Sequence, residues 1–257
     1  VETPATGDQP PGRRDGTALG CVVCRETDGG FDNPEHPIPE CLGNTTIVLP
    51  PGVVCDQCNH GPLARLDKAV CEFKPVSFRR SQLGVPSKSG KVPSTSMSNG
   101  KVEFRDGAPL VSIEGGQAFT VLDRHDDGTP SRFRLEWQAN PPMTPRLAST
   151  LARGLLKMGL GLAWLRCGED VLDPRLDHVR SIILGGPHAG YLAIGRGGDG
   201  PSLGYATVTY RFDAEEGTIE VGASFYGVEM FTHSRRTEPS AEIAAVASII
   251  PFDVASM

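Results

Sequence analysis

The spacing of apolar residues changes several times along the chain, and each change predicts an element. In "PLARLDKAVCEF", residues 62–73, Leu63, Leu66, Ala69, Val70 and Phe73 recur three and four apart, which predicts a helix. From residue 101 the period falls to two. "KVEFRD" (101–106), "PLVSIEG" (109–115), "QAFTVLDR" (117–124) and "RFRLEWQ" (132–138) each predict a strand. Thr144-Pro145 then supplies a helix N-cap and a first-turn proline. Leu147, Leu151, Leu155, Met158, Leu162 and Leu165 predict one long helix with a buried stripe. A shorter helix is expected after Asp173-Pro174, over "RLDHVRSII", and alternation returns in "YLAIGR", "YATVTYRF", "TIEVGASFYGV" and "EMFTHSRR". "GRGGDG" at 195–200 lacks the Lys-Ser/Thr ending of a phosphate loop and reads as a hairpin turn. No internal repeat is present. The pattern predicts an α+β fold in which a mainly antiparallel sheet and one long helix follow a smaller N-terminal unit.

Composition sets the boundaries. Residues 1–19 are polar, carry no apolar run of a secretory signal, and read as a disordered lead-in; the missing initial Met leaves processing or trimming open. Residues 20–78 form the first unit. Residues 79–100, "RRSQLGVPSKSGKVPSTSMSNG", are basic and rich in Ser, Gly and Pro, and are expected to be a linker. Residues 101–257 form the second unit, expected to serve recognition or assembly, for instance as a homodimer. Gly 31 and Pro 22 in 257 residues predict many loops, while 39% hydrophobic content is enough for a proper core. The longest apolar stretch, Leu155 to Leu165, is too short for a membrane span and is broken by Lys157 and glycines, so a cytoplasmic protein without membrane contact is expected. A net charge of −6 argues against a general nucleic-acid coat. The stretch 61–106 is nevertheless locally basic, and Arg65, Lys68, Arg79, Arg80 and Lys88 are its candidate contacts to a phosphate backbone. A solvated loop explains the same charges.

Four of the seven cysteines fall in two CxxC pairs, "CVVC" (21–24) and "CDQC" (55–58). A two-residue gap lets both thiolates of a knuckle reach one ion, and two knuckles complete a tetrahedral site. Cys21, Cys24, Cys55 and Cys58 are therefore candidate ligands of a structural Zn²⁺. Two disulfides are the competing explanation, disfavoured by the odd cysteine count and the lack of a secretory signal. Cys41, Cys71 and Cys167 are expected to be small packing residues.

Between the knuckles lies "NPEHPIPECLG", residues 33–43, where Pro34 and Pro37 flank Glu35-His36. Asn59-His60 follow the second knuckle directly. A neutral imidazole suits a general base near pH 7, and carboxylate and amide oxygens suit a hard divalent cation. Phosphodiester hydrolysis needs both. The order CxxC, Glu-His-x-x-Pro, CxxC-Asn resembles HNH endonucleases of the four-cysteine, zinc-knuckle kind, ββα-metal nucleases. "LGNTTIVLPPGVVCDQCNHGPLARLD" is similar to one branch of them. The likeness covers about residues 20–90. It implies a metal-dependent nuclease acting on DNA, with RNA not excluded. It implies His36 as general base, oriented by Asn44. Glu35 and Asn59, or His60 in place of Asn59, would hold a catalytic Mg²⁺ or Mn²⁺. Zinc would be structural. The extended, proline-fixed segment is expected to turn Glu35 and His36 to opposite sides. The alternative is a non-catalytic zinc-ribbon binding module, with His36 a structural histidine. His125, His178, His188 and His233 are expected to be ordinary surface or core histidines.

Overall fold

Gly61 and Pro62 keep the second knuckle from running straight into a helix. Pro62 has no N–H to continue an i→i−4 ladder. The chain accordingly makes one α turn, α1 (Asp56–Cys58), then a π turn over Asn59–Leu63, before α2 (Ala64–Glu72) settles into regular geometry. The computed structural model describes residues 20–87, 90–97, 100–105, 108–113, 119–124, 126, 130–135, 143–196 and 206–254. The stripe read from the sequence holds in α2, where Leu66, Val70 and Cys71 are buried.

Phe73 breaks the helix, and α3 (Lys74–Gln82) follows with Pro75 in its first turn. This corrects the expected linker at 79–100, since residues 79–82 are helical and β1 (Thr95–Met97) forms before residue 100. The helix was hidden because its buried face is mostly polar: Ser77, Arg80 and Ser81 are buried beside Val76. The strands expected after residue 100 form as β2 (Gly100–Arg105), β3 (Ala108–Ile113), β4 (Phe119–Arg124) and β5 (Pro130–Leu135). They build two small antiparallel sheets, β1-β2-β3 and β4-β5. α3 packs against β1 and β2.

The long helix is α4 (Pro145–Cys167), and the Thr144 hydroxyl caps it by accepting from the Leu147 amide at 3.2 Å. The short helix is α5 (Asp177–Leu184), entered through a turn in which the Asp173 carboxylate accepts from the Arg175 amide. The main sheet has five antiparallel strands in the order β10-β6-β9-β8-β7. They are β6 (Ala189–Arg196), β7 (Ala206–Asp213), β8 (Thr218–Phe225), β9 (Val228–His233) and β10 (Ala247–Asp253). Tyr226 and Gly227, both at positive φ, close the β8–β9 hairpin. β6 and β7 are not neighbours, so "GRGGDG" does not make the expected hairpin turn; Gly195 and Arg196 end β6 and residues 197–200 lie outside the described residues. β10, with α6 (Ala241–Val246) before it, has no counterpart in the sequence reading. Pro251 speaks against a strand, yet β10 lies at the sheet edge, where a missing donor breaks no ladder.

α4 lies between the sheet and the N-terminal unit. Its glycines show how closely each side approaches. A Cβ on Gly159 would come within 2.5 Å of Val221 Cγ2 on β8. On the opposite side, a Cβ on Gly154 would meet Val70 of α2 at 2.8 Å, and one on Gly161 would meet Pro37 at 2.9 Å. Gly154, Lys157 and Gly161, spaced three and four apart, thus make a face directed at the first unit. Other ties join the same halves: the Tyr226 hydroxyl donates to the Leu42 carbonyl at 2.7 Å, and Arg180 Nε to the Val22 carbonyl at 2.9 Å. One core runs from Cys21 to Phe252. The long helix of the expected second unit, 101–257, thus packs into the same core as residues 20–78.

Candidate functional site

The two knuckles meet. The donor sulfurs of Cys21, Cys24, Cys55 and Cys58 all lie within 4.8 Å of one another, with Cys24 Sγ and Cys55 Sγ 3.6 Å apart. Backbone amides point at the sulfurs: Val23 and Cys55 donate to Cys21 Sγ at 3.4 and 3.3 Å, and Cys58 to Cys55 Sγ at 3.4 Å. Such donors stabilise thiolates. A hydrogen bond from the Cys58 thiol, with help from these amides, pushes Cys21 down to about 5. Burial pushes Cys24 up to about 11, and Cys58 also moves upward, chiefly because it serves the Cys21 thiolate. Four sulfurs this close cannot all ionise without a cation among them. The cluster can hold a structural metal ion.

The segment between the knuckles is a minimal hairpin. Glu35 and Leu49 exchange backbone hydrogen bonds at 3.1 and 2.7 Å. Asn44 fastens its loop, donating to the carbonyls of Ile38 and Ile47 at 2.7 and 2.8 Å and accepting from the amides of Thr46 and Ile47. Asn59 Nδ2 donates to the Pro34 carbonyl at 3.1 Å, and Asp56 accepts from the side chain and backbone of Asn33. The Asn33 bonds, its side-chain amide first, hold Asp56 below its usual carboxylate range, and together these contacts tie hairpin to helix beside the cysteine cluster.

Beside these elements opens a cleft of about 1020 Å³, lined among others by Glu35, His36, Asn59, His60, Lys68 and Arg80. Glu35 is buried, and its Oε1 meets Lys157 Nζ at 2.5 Å in an ion pair. His36 is half-buried, with Nε2 3.7 Å from Glu40 Oε1; its Nδ1 is buried and has no hydrogen-bond partner among the described residues. Lys157 also donates to Asp67 at 2.9 and 3.1 Å and to the carbonyls of His36 and Pro37 at 2.7 and 3.3 Å. Burial alone would lower Lys157, but Asp67 and Glu35 outweigh it and the net shift is upward. Burial raises Asp67, against the pull of Lys157.

The structure therefore gathers Glu35, His36, Asn59, His60, Lys68 and Arg80 on one cleft. It does not place Asn44 there. Contrary to expectation, the Asn44 side chain is spent on its own loop and makes no hydrogen bond to His36. It borders a separate 260 Å³ pocket with Val85 and Tyr226. Among the basic residues, Arg65 is exposed off the cleft lining, Lys68 pairs with Glu72 at 3.9 Å, and Arg79 bonds to Gln82. Arg80 is only 3% exposed, and Lys88 lies outside the described residues. Cys41 and Cys71, expected to be packing residues, are joined as a disulfide from the turn after Pro39 to α2, at the cleft wall; Cys167 is a free cysteine. Lys157 and Asp67 were missed as site residues. A lone lysine inside an otherwise apolar helical stretch was the available signal, because a buried ammonium must find a carboxylate.

No protein-family model, curated protein or solved structure matches the chain.

Proposed function

We propose that the protein is a metal-dependent nuclease of HNH type, acting on DNA, with Cys21, Cys24, Cys55 and Cys58 holding a structural Zn²⁺. The observation that carries this reading is the convergence of Glu35-His36 and Asn59-His60 on one cleft, beside the four-thiol cluster that ties hairpin to helix. In this reading Glu35 and Asn59, with His60 next to it, hold the working cation. The donor set fits: a buried carboxylate at the cleft wall, already paired with Lys157, and an amide whose nitrogen is engaged by Pro34, leaving its oxygen for a hard ion. Mg²⁺ or Mn²⁺ there supplies neutralisation of the phosphate and stabilisation of the leaving oxygen. His36 takes the proton from the attacking water, and Glu40 near Nε2 stabilises the imidazolium. Lys68 on the cleft rim attracts the phosphate backbone.

One observation favours a second reading, a non-catalytic zinc module: Lys157 already neutralises the carboxylate that should hold the ion. Plasmid nicking separates the two. With Mg²⁺ or Mn²⁺ the wild type nicks or linearises supercoiled DNA, EDTA stops it, and His36→Ala lowers the rate by about 10²-fold or more with zinc content unchanged. Undiminished nicking by His36→Ala removes the assignment. No cleavage of DNA or of an RNA substrate with any metal returns the second reading.

A further inference from the structure

Behind the cleft wall, Glu35 and Asp67 meet a group supplied not by the knuckle unit but by α4, about 120 residues beyond the hairpin. Lys157 is 3% exposed at its side chain, and its ammonium touches Glu35, Asp67 and the carbonyls of His36 and Pro37. A lysine that served only to fill the core would need a single counter-ion. This one grips the two backbone carbonyls that flank Pro37 and the carboxylate of Glu35. Its helix neighbour one turn on, Gly161, is packed against the Pro37 ring. Asp67 of α2 completes the set, so hairpin, α2 and α4 all meet at one nitrogen. Resting on the nuclease reading, we infer that Lys157 is a positioning residue of the site: it fixes the Glu35–Pro37 segment and shares the Glu35 carboxylate with the divalent ion.

Sharing has a consequence that a mere strut would lack. A cation held against Glu35 weakens the attraction of that carboxylate for a second cation. Loss of Lys157 thus tightens divalent-ion binding and at the same time slows the chemistry, because His36 loses its fixed orientation. A structural lysine would loosen both together, and an uninvolved one would move neither.

The comparison is between Asp67→Asn, which keeps the Lys157–Glu35 pair, and the double variant Asp67→Asn with Lys157→Met, which avoids leaving two carboxylates facing each other. Zinc content and thermal melting report the fold, calorimetry with Mn²⁺ alone reports the ion, and single-turnover plasmid nicking at saturating Mn²⁺ reports the reaction. Relative to Asp67→Asn, the double variant is expected to bind Mn²⁺ about tenfold more tightly and to nick about 100-fold more slowly. Equal affinity and rate in the two proteins overturn the inference, as does a parallel loss of both with zinc retained. Should the double variant lose its zinc, Lys157→Arg decides. It keeps the charge, but a planar guanidinium does not reproduce the point-charge contacts, so nicking is expected to fall about tenfold; a wild-type rate overturns the inference. Absence of nicking by the wild type is a different failure, one that removes the nuclease reading and this inference with it.

Discussion

Gly161→Ala sets two opposing energies against each other at the junction of α4 and the hairpin. Replacing a glycine inside a helix with alanine gains up to about 1 kcal/mol from the backbone. Here the new methyl carbon would stand 2.9 Å from Pro37 Cβ and 3.1 Å from its Cγ, roughly 0.5 Å short of the nearest ordinary contact at 3.4 Å. The neighbour is a rigid ring whose carbonyl is held by Lys157, so it cannot swing aside as a flexible chain end would. Overpacking of this kind costs about 1–3 kcal/mol. The crowding wins by about 1 kcal/mol, and for a protein of this size the melting temperature is expected to fall by about 2–4 °C. The same push moves Pro37 away from α4 and carries His36 with it. A 1 Å misplacement of a reacting group can cost about 10²-fold, so on the proposed nuclease reading half of that is expected to lower nicking about tenfold. Thermal melting and a nicking time course on the same preparation test both effects. A melting temperature that rises, with nicking unchanged, would refute the argument: the glycine would then be only a helix defect and the close approach to Pro37 of no consequence.

Two further outcomes follow from the four-thiol cluster and the half-buried histidines. Stripping metal with a strong chelator, or Cys58→Ser, is expected to unfold the knuckle unit and to lower the stability of the sheet with it, because one core joins them; circular dichroism melts that leave the sheet transition untouched would contradict a shared core. His178, His188 and His233 each have a pKa below the ordinary 6.5 because burial disfavours the imidazolium. In the window below 6.5 the unfolded chain binds more protons than the folded one, so stability is full above about 6.5 and is lost as pH falls through the folded values. Melting temperature is expected to decline between pH 7 and pH 5, less steeply in His188→Asn; a rise over that range would show the sign to be wrong.

Much of the candidate site could be read from spacing, because its chemistry is local. CxxC fixes two sulfurs through the geometry of one tight turn, and Asn59-His60 adjoin the second knuckle, so their nearness to the cluster follows from the chain alone. The long helix was legible for a similar reason: Thr144-Pro145 caps it, and leucines recur along it three and four apart. Its other face was not legible. Gly154, Lys157 and Gly161 carry no hydrophobic signal, and in sequence they look like interruptions of an apolar run. α3 escaped notice because its buried positions are Ser77, Arg80 and Ser81, polar residues that a periodicity of apolar side chains cannot report. Asn44 was misjudged because an asparagine near a candidate base reads the same whether it faces the imidazole or its own loop.

The sequence by itself determined α2, α4, α5, the strands from β2 to β9 and the two cysteine knuckles, since helix caps, strand alternation and CxxC turns are settled over a few residues. Only the tertiary structure decided that the hairpin, α2 and α4 share one lysine, and that the halves on either side of residue 101 share one core. Those contacts join residues from 90 (Lys157 and Asp67) to 184 (Tyr226 and Leu42) positions apart. They depend on how closely two glycines let a helix approach its neighbours and on where a buried ammonium finds its carboxylates, and no local pattern carries either quantity.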